Sequence, residues 1–234
     1  MEDINQIKKV SIWIFIVPVV ALNLCLLISV NYILLEDTVF SVDQIGRSGF
    51  TIPYIDGSLS ISRSARTYPS YLVFKPAMII TSILLIKYWL ANNRLFSYLE
   101  DLHKKKYFML FGIGSALFLI LHSIFLGLAI ENDLYKFFRR FILLGFIIFE
   151  ITAQTLLVIN IFKIKTKVKE LINNKILILK AILVIVLIIV AIFAAPILNS
   201  TEHTHFKHAL EWNYFIGVVL FYLLTFLFWK KGKV

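Results

Sequence analysis

Residues 176–195 read ILILKAILVIVLIIVAIFAA, a run in which Lys180 is the one polar side chain. At about 1.5 Å per helical residue, that length covers a hydrocarbon core of roughly 30 Å. Lipid offers no water to a backbone amide, so such a stretch takes the one single-segment form that pairs its own amides, the α-helix. Five further stretches are of the same kind, and the full set is 11–35, 71–90, 107–129, 141–163, 176–195 and 210–229. The 234-residue chain therefore reads as an all-α polytopic membrane protein, a single integral membrane domain, 1–234, built as a six-transmembrane-helix bundle. Composition agrees: 59% of residues are hydrophobic, 16% are charged, and the mean hydropathy is +0.84, which excludes an ordinary water-soluble domain.

The formal charge of +10 raises nucleic-acid binding, but the placement of the charges excludes it. Lysines and arginines sit in short segments between apolar spans, where they set orientation and meet anionic lipid headgroups. One side takes Lys8, Lys9, Lys87, Arg94, Lys104–Lys106, Lys163, Lys165, Lys167, Lys169, Lys175, Lys230, Lys231 and Lys233. The other takes Arg47, Arg63, Arg66, Lys136, Arg139, Arg140 and Lys207, while Lys75 and Lys180 near span ends are expected to snorkel to the headgroups. This asymmetry predicts both termini in the cytoplasm. The Lys-rich segment 164–175 then reads as a topology and solubility signal ahead of a specific phosphoinositide site. The first span is too long for a signal-peptide core, and no small-x-small site precedes Glu36-Asp37, so it reads as a retained anchor that tolerates Pro18. Cys25 is the only cysteine, so no intrachain disulfide forms. Localisation is expected in a bacterial inner membrane or a eukaryotic endomembrane or plasma membrane.

The longest non-membrane segment is the predicted outer loop 36–70. Its first half carries turn residues at Gly46, Gly49, Pro53 and Asp56-Gly57. Its second half, Ser58 to Arg66, alternates hydroxyls and arginines with Leu59 and Ile61, which are expected to dip toward the membrane. If the stretch is helical, Arg63 and Arg66 share a face, and a guanidinium fork fits a pair of phosphate oxygens. Ser60, Ser62, Arg63 and Arg66 are thus candidate headgroup-binding residues. The last outer loop holds His203, His205 and His208, followed by Glu211. His208 and Glu211 are spaced to lie on one helical face, where they form a candidate proton-transfer pair. His-x-His alone falls short of the four ligands of a closed zinc site, so no metal is assigned. Asn199-Ser200-Thr201 is a glycosylation sequon if the source is eukaryotic.

Within the membrane, His122 and Glu150 lie at depths of roughly 10 and 14 Å from the outer ends of adjacent, antiparallel spans. An unpaired carboxylate in lipid is costly, so Glu150 must face the bundle and find a partner or stay protonated. His122, Gln154, Asn23 and Ser82 are the candidate partners, with His122 and Glu150 read as an intramembrane polar pair. Gly112-Ile-Gly-Ser115 is a small-residue packing face. The chain lacks the Gly-x-Ser-x-Gly elbow, the His-Glu-x-x-His motif, the P-loop and the dinucleotide fingerprint, and no cofactor is assigned.

Six spans with cytoplasmic termini, a long first outer loop ending in Leu59-Ser60-Ile61-Ser62, Pro69 shortly before Phe74, and Ala209-Leu210-Glu211-Trp212 opening the sixth span resemble one known family. It unites the damage-regulated autophagy modulators (DRAM), the GPI-anchor lipid-remodelling proteins of the Golgi and the amino-terminal domain of a yeast cell-wall biogenesis protein. The resemblance implies a polar outer site at Ser60, Ser62 and Glu211. The GPI-remodelling members continue Ser-Ile-Ser with small apolar residues, whereas here Arg63, Ser64 and Arg66 follow. Three readings stay open. The first is a protein that handles or remodels a lipid or lipid anchor at the non-cytoplasmic leaflet. The second is a non-enzymatic scaffold or regulator of the autophagy-modulator type, and the third a small channel or proton-coupled carrier. Membrane lipids are the expected partners, together with a membrane protein or a second copy of the chain.

Overall fold

The computed structural model describes residues 2–40, 49–99, 107–128, 132–199 and 203–230. Arg47, Lys104–Lys106, Ser200 and Thr201 of the sequon, Lys231 and Lys233 fall outside the described residues. Among those described there are seven α-helices and no strand. They are α1 (Glu2–Val30), α2 (Ile61–Ala65), α3 (Ser70–Leu99), α4 (Tyr107–Phe125), α5 (Asp133–Ile164), α6 (Asn174–Asn199) and α7 (Thr204–Phe228). All but α2 are long and apolar enough to cross a membrane.

The helices outrun the apolar spans because hydropathy marks only the part of a helix that meets hydrocarbon. α1 starts at Glu2, whose carboxylate and that of Asp3 suit the positive end of the helix dipole. α5 starts eight residues before its apolar run, with Asn132 accepting a hydrogen bond from the Leu134 N–H at 3.0 Å. α1 ends at Val30 rather than at 35. There the Asn31 side chain turns back to the Leu27 carbonyl at 2.8 Å, and the chain passes into a 3-10 turn over Tyr32–Leu35.

Neighbour packing closes the six long helices into a ring in the order α1, α3, α4, α5, α6, α7 and back to α1. α4 and α5 are neighbours, as expected. The small-residue face is used for close approach: a Cβ at Gly112 would collide with the Trp89 indole, and one at Gly114 with the Phe149 ring. The ring's interior is filled by Tyr88, Trp89, Phe108, Trp212, Phe221, Tyr222 and Phe228, all fully buried. Its outer surface presents Trp13, Leu117, Ile182, Ile185 and Ile192 among many exposed apolar side chains, a surface that lipid covers and water would not tolerate.

The start of α1 and the close of α7 lie at one end, termed here the terminal end. Lys8 donates to the Trp229 carbonyl at 2.6 Å, and Arg94 near the close of α3 reaches Asp3 at 3.1 Å and Gln6 at 2.7 Å. The opposite, loop end carries α2.

Candidate functional site

The loop before α2 is built on Asp56. Its carboxylate accepts from Thr51 Oγ1 at 2.7 Å, Ile52 N at 2.8 Å and Ser58 N at 2.9 Å. The Ser58 N–H, ahead of the Thr51 and Ile52 donors, holds this carboxyl down at about 2. Gly57 follows with φ +61°, seated so close to α7 that a Cβ would meet the His205 carbonyl. From there the segment is stitched to α7 side chain by side chain. His208 Nδ1 meets the Gly57 carbonyl at 2.9 Å, Trp212 Nε1 donates to the Leu59 carbonyl at 2.8 Å, and Asn213 donates to the Tyr54 carbonyl at 2.7 Å. The Glu211 carboxylate accepts from the backbone N–H groups of Ile61 and Ser62.

These bonds explain why so short a helix as α2 forms. Its first amides have no partner inside the helix. Glu211 takes those of Ile61 and Ser62, and Ser60 Oγ caps the helix by accepting from Arg63 N at 3.2 Å. Ser60 and Ser62 hydroxyls lie 3.3 Å apart. Leu59 and Ile61 do not dip into lipid: Leu59 is buried and Ile61 packs against the protein core. The structure thus brings Ser60, Ser62 and Arg63 together with His208 and Glu211 at one rim.

Arg63 is exposed, while Arg66 is half-buried with its Nε enclosed and unbonded. Burial, then the charges of Arg139 and Arg63, holds the Arg66 guanidinium below its ordinary value. His203 and His205 are exposed at the start of α7.

No family model, curated protein or solved structure matches this chain.

The second polar centre lies inside the bundle. Glu150 is buried on α5 and accepts from Ser115 Oγ at 2.6 Å, Gln154 Nε2 at 2.9 Å and the Tyr222 hydroxyl. Of the four candidate partners, Gln154 is the one that bonds it. His122 stands about two turns from Ser115 along α4, edge-on to Phe74 at 6.4 Å, with its Nδ1 buried and unbonded. Asn23 engages the Val19 carbonyl and Tyr54, and Ser82 the Met78 carbonyl.

Lys180 corrects the expectation of snorkelling. It is fully buried, donates to Thr225 Oγ1 at 2.7 Å, and lies 4.0 Å from the Phe221 ring centroid and 5.3 Å from that of Phe228. Thr225 also meets the Tyr88 hydroxyl at 3.3 Å, and the Tyr88 and Tyr222 rings pack edge to face at 5.0 Å. A chain of polar groups therefore runs from Ser115 and Glu150 through the two tyrosines to Thr225 and Lys180, touching five of the six long helices. Sequence reasoning named Glu150 and Gln154 but missed Ser115, Tyr222, Tyr88, Thr225 and the inward course of Lys180. An ammonium in an apolar run was the available signal.

Proposed function

We propose that the protein binds and handles a phosphate-bearing lipid at its loop end, which the charge asymmetry assigns to the non-cytoplasmic leaflet. One observation carries the reading: α2 is clamped onto the first turns of α7, so Ser60, Ser62 and Arg63 share a rim with His208 and Glu211, and Arg66 closes the same short helix. Guanidiniums at a membrane rim suit a headgroup phosphate. With its Nδ1–H donated to Gly57, a neutral His208 ring keeps Nε2 as the lone-pair nitrogen, and that is the atom available to take a proton from a lipid hydroxyl or water. Glu211, occupied with two backbone amides, positions α2. The test is a lipidomic comparison of cells carrying wild type, His208→Ala, Arg66→Ala or no protein. Profiles of the null cells identical to wild type would remove this reading.

A second reading, the proton-coupled carrier, draws on the buried Glu150–Lys180 chain, because ionisable groups inside a membrane bundle commonly mark proton or ion paths. Proteoliposome flux unaltered by Glu150→Gln would count against it.

A further inference from the structure

Four cationic or basic side chains from four separate segments meet at the corner where α2, α3, α4 and α5 come together. Arg66 closes α2, and its carbonyl abuts Gly127 just past α4, where an added Cβ would lie 2.7 Å away. Lys75 of α3 reaches the Ile124 carbonyl at 3.5 Å. Arg139 of α5 lies within electrostatic reach of both Arg66 and His122, and it packs over the Tyr135 ring at 5.9 Å.

Two features mark this corner as built for an anion. Arg66 Nε and His122 Nδ1 are both buried and both lack a hydrogen-bond partner, although a buried polar atom left unpaired is costly. Among the described residues no carboxylate stands within 4 Å of Arg66, Lys75 or Arg139, and the neighbouring Asp133 is engaged by Lys136 at 3.0 Å. The α4 carbonyl end offsets part of the charge at Lys75, and among the described residues no carboxylate does so for the two guanidiniums.

Beside Arg139 runs an open apolar groove of about 570 Å³, walled by Phe125, Leu134, Tyr135, Phe138 and Phe141. Tyr135 belongs to both features: it lines the groove, lies under Arg139 and ties its hydroxyl to the Phe125 carbonyl. The corner therefore offers charge and an apolar slot side by side, the pairing that a phospholipid's headgroup and chain require.

We infer that Arg66, Arg139 and Lys75, with His122 behind them, hold the phosphate of an anionic phospholipid whose acyl chain occupies the Phe125–Phe138–Phe141 groove. This deepens the functional reading above by adding α3, α4 and α5 residues to a lipid site and naming its ligand class.

The experiment measures binding of dioctanoyl phosphatidic acid, dioctanoylglycerol and inorganic phosphate to the full chain in detergent. Dioctanoyl phosphatidic acid should bind wild type and weaken about tenfold or more in Arg66→Gln and Arg139→Gln, the scale of a lost charge-assisted hydrogen bond. Arg139→Lys, which keeps the charge and loses the fork, should fall between, and exposed Arg140→Gln should match wild type. These two variants keep the test decidable if a glutamine variant fails to fold. Equal affinity for inorganic phosphate would make this a free-anion site and overturn the lipid. Equal affinity for dioctanoylglycerol would show that the phosphate goes unread and overturn the arginines. Unchanged affinity across the arginine variants would sink the site outright. Lost binding with an unaltered cellular lipid profile would instead sink the functional reading and leave this site standing.

Discussion

Trp212 donates its indole N–H to the Leu59 carbonyl across 2.8 Å, and both residues are buried. Their positions are 153 residues apart, so this one bond ties the outer loop to the final helix. Trp212→Phe keeps a ring but strands the carbonyl, at a cost of about 1–3 kcal/mol. Thermal unfolding in detergent should show a lower midpoint. An unchanged midpoint would mean that water replaces the donor.

Gly57→Ala should be worse than its single methyl suggests. The position has φ +61°, and the new Cβ would strike the His205 carbonyl. The left-handed conformation alone costs about 1 kcal/mol for a residue with a side chain. The loop should lift from α7, read as faster proteolysis within 49–60.

Glu211→Gln should loosen α2 without unfolding the bundle. A neutral amide oxygen is a weaker acceptor for the Ile61 and Ser62 amides than a carboxylate. Hydrogen exchange at those two amides should quicken while α3 and α5 stay protected. Equal exchange in both proteins would relieve Glu211 of this role.

Asp56 gives the loop a defined acid response. Its folded value is depressed to about 2 by the Ser58, Thr51 and Ile52 donors. A depressed carboxyl contributes stability above its unfolded value near 3.9, and that contribution is lost as pH falls from there through about 2. Loop order, followed by Trp212 fluorescence, should hold at neutral pH and decay across that window. Asp56→Asn should remove the pH response.

Lys180 and Glu150 should behave as a coupled pair although neither touches the other. Each single neutralisation, Lys180→Met or Glu150→Gln, leaves one ionisable group in a network built for two. The double variant should cost less than the singles added together, with a coupling of about 0.5–3 kcal/mol. Strict additivity would show two independent sites.

The six crossings were legible because lipid leaves a backbone no other solution, and hydropathy reads that constraint directly. Helix ends were not: the start of α5, Asp133–Arg140, mixes Phe137 and Phe138 with Lys136, Arg139 and Arg140, and nothing in hydropathy marks it as helical. Lys180 was misread for a related reason. Residues 176–195 are apolar on every side, so periodicity does not reveal which face turns inward. Whether Ser60–Ser62 meets His208–Glu211 was open from the sequence, because about 145 residues separate the two clusters and only the folded order of helices sets α2 against α7. The gathering of Lys75, His122 and Arg139 around Arg66 was equally hidden, since only the closed order of helices makes neighbours of segments so far apart.

That order has a consequence for how the protein is made. Tyr222, one of three donors to Glu150, and Thr225, the acceptor for Lys180, both reside on α7, which follows the other five long helices in the chain. Until it arrives, a seam stays open between α1 and α6, with a carboxylate and an amine short of these partners in the bilayer. The closing helix is a keystone, and a chain cut before residue 204 would betray itself to cellular surveillance by a stranded amine and a carboxylate short of one donor.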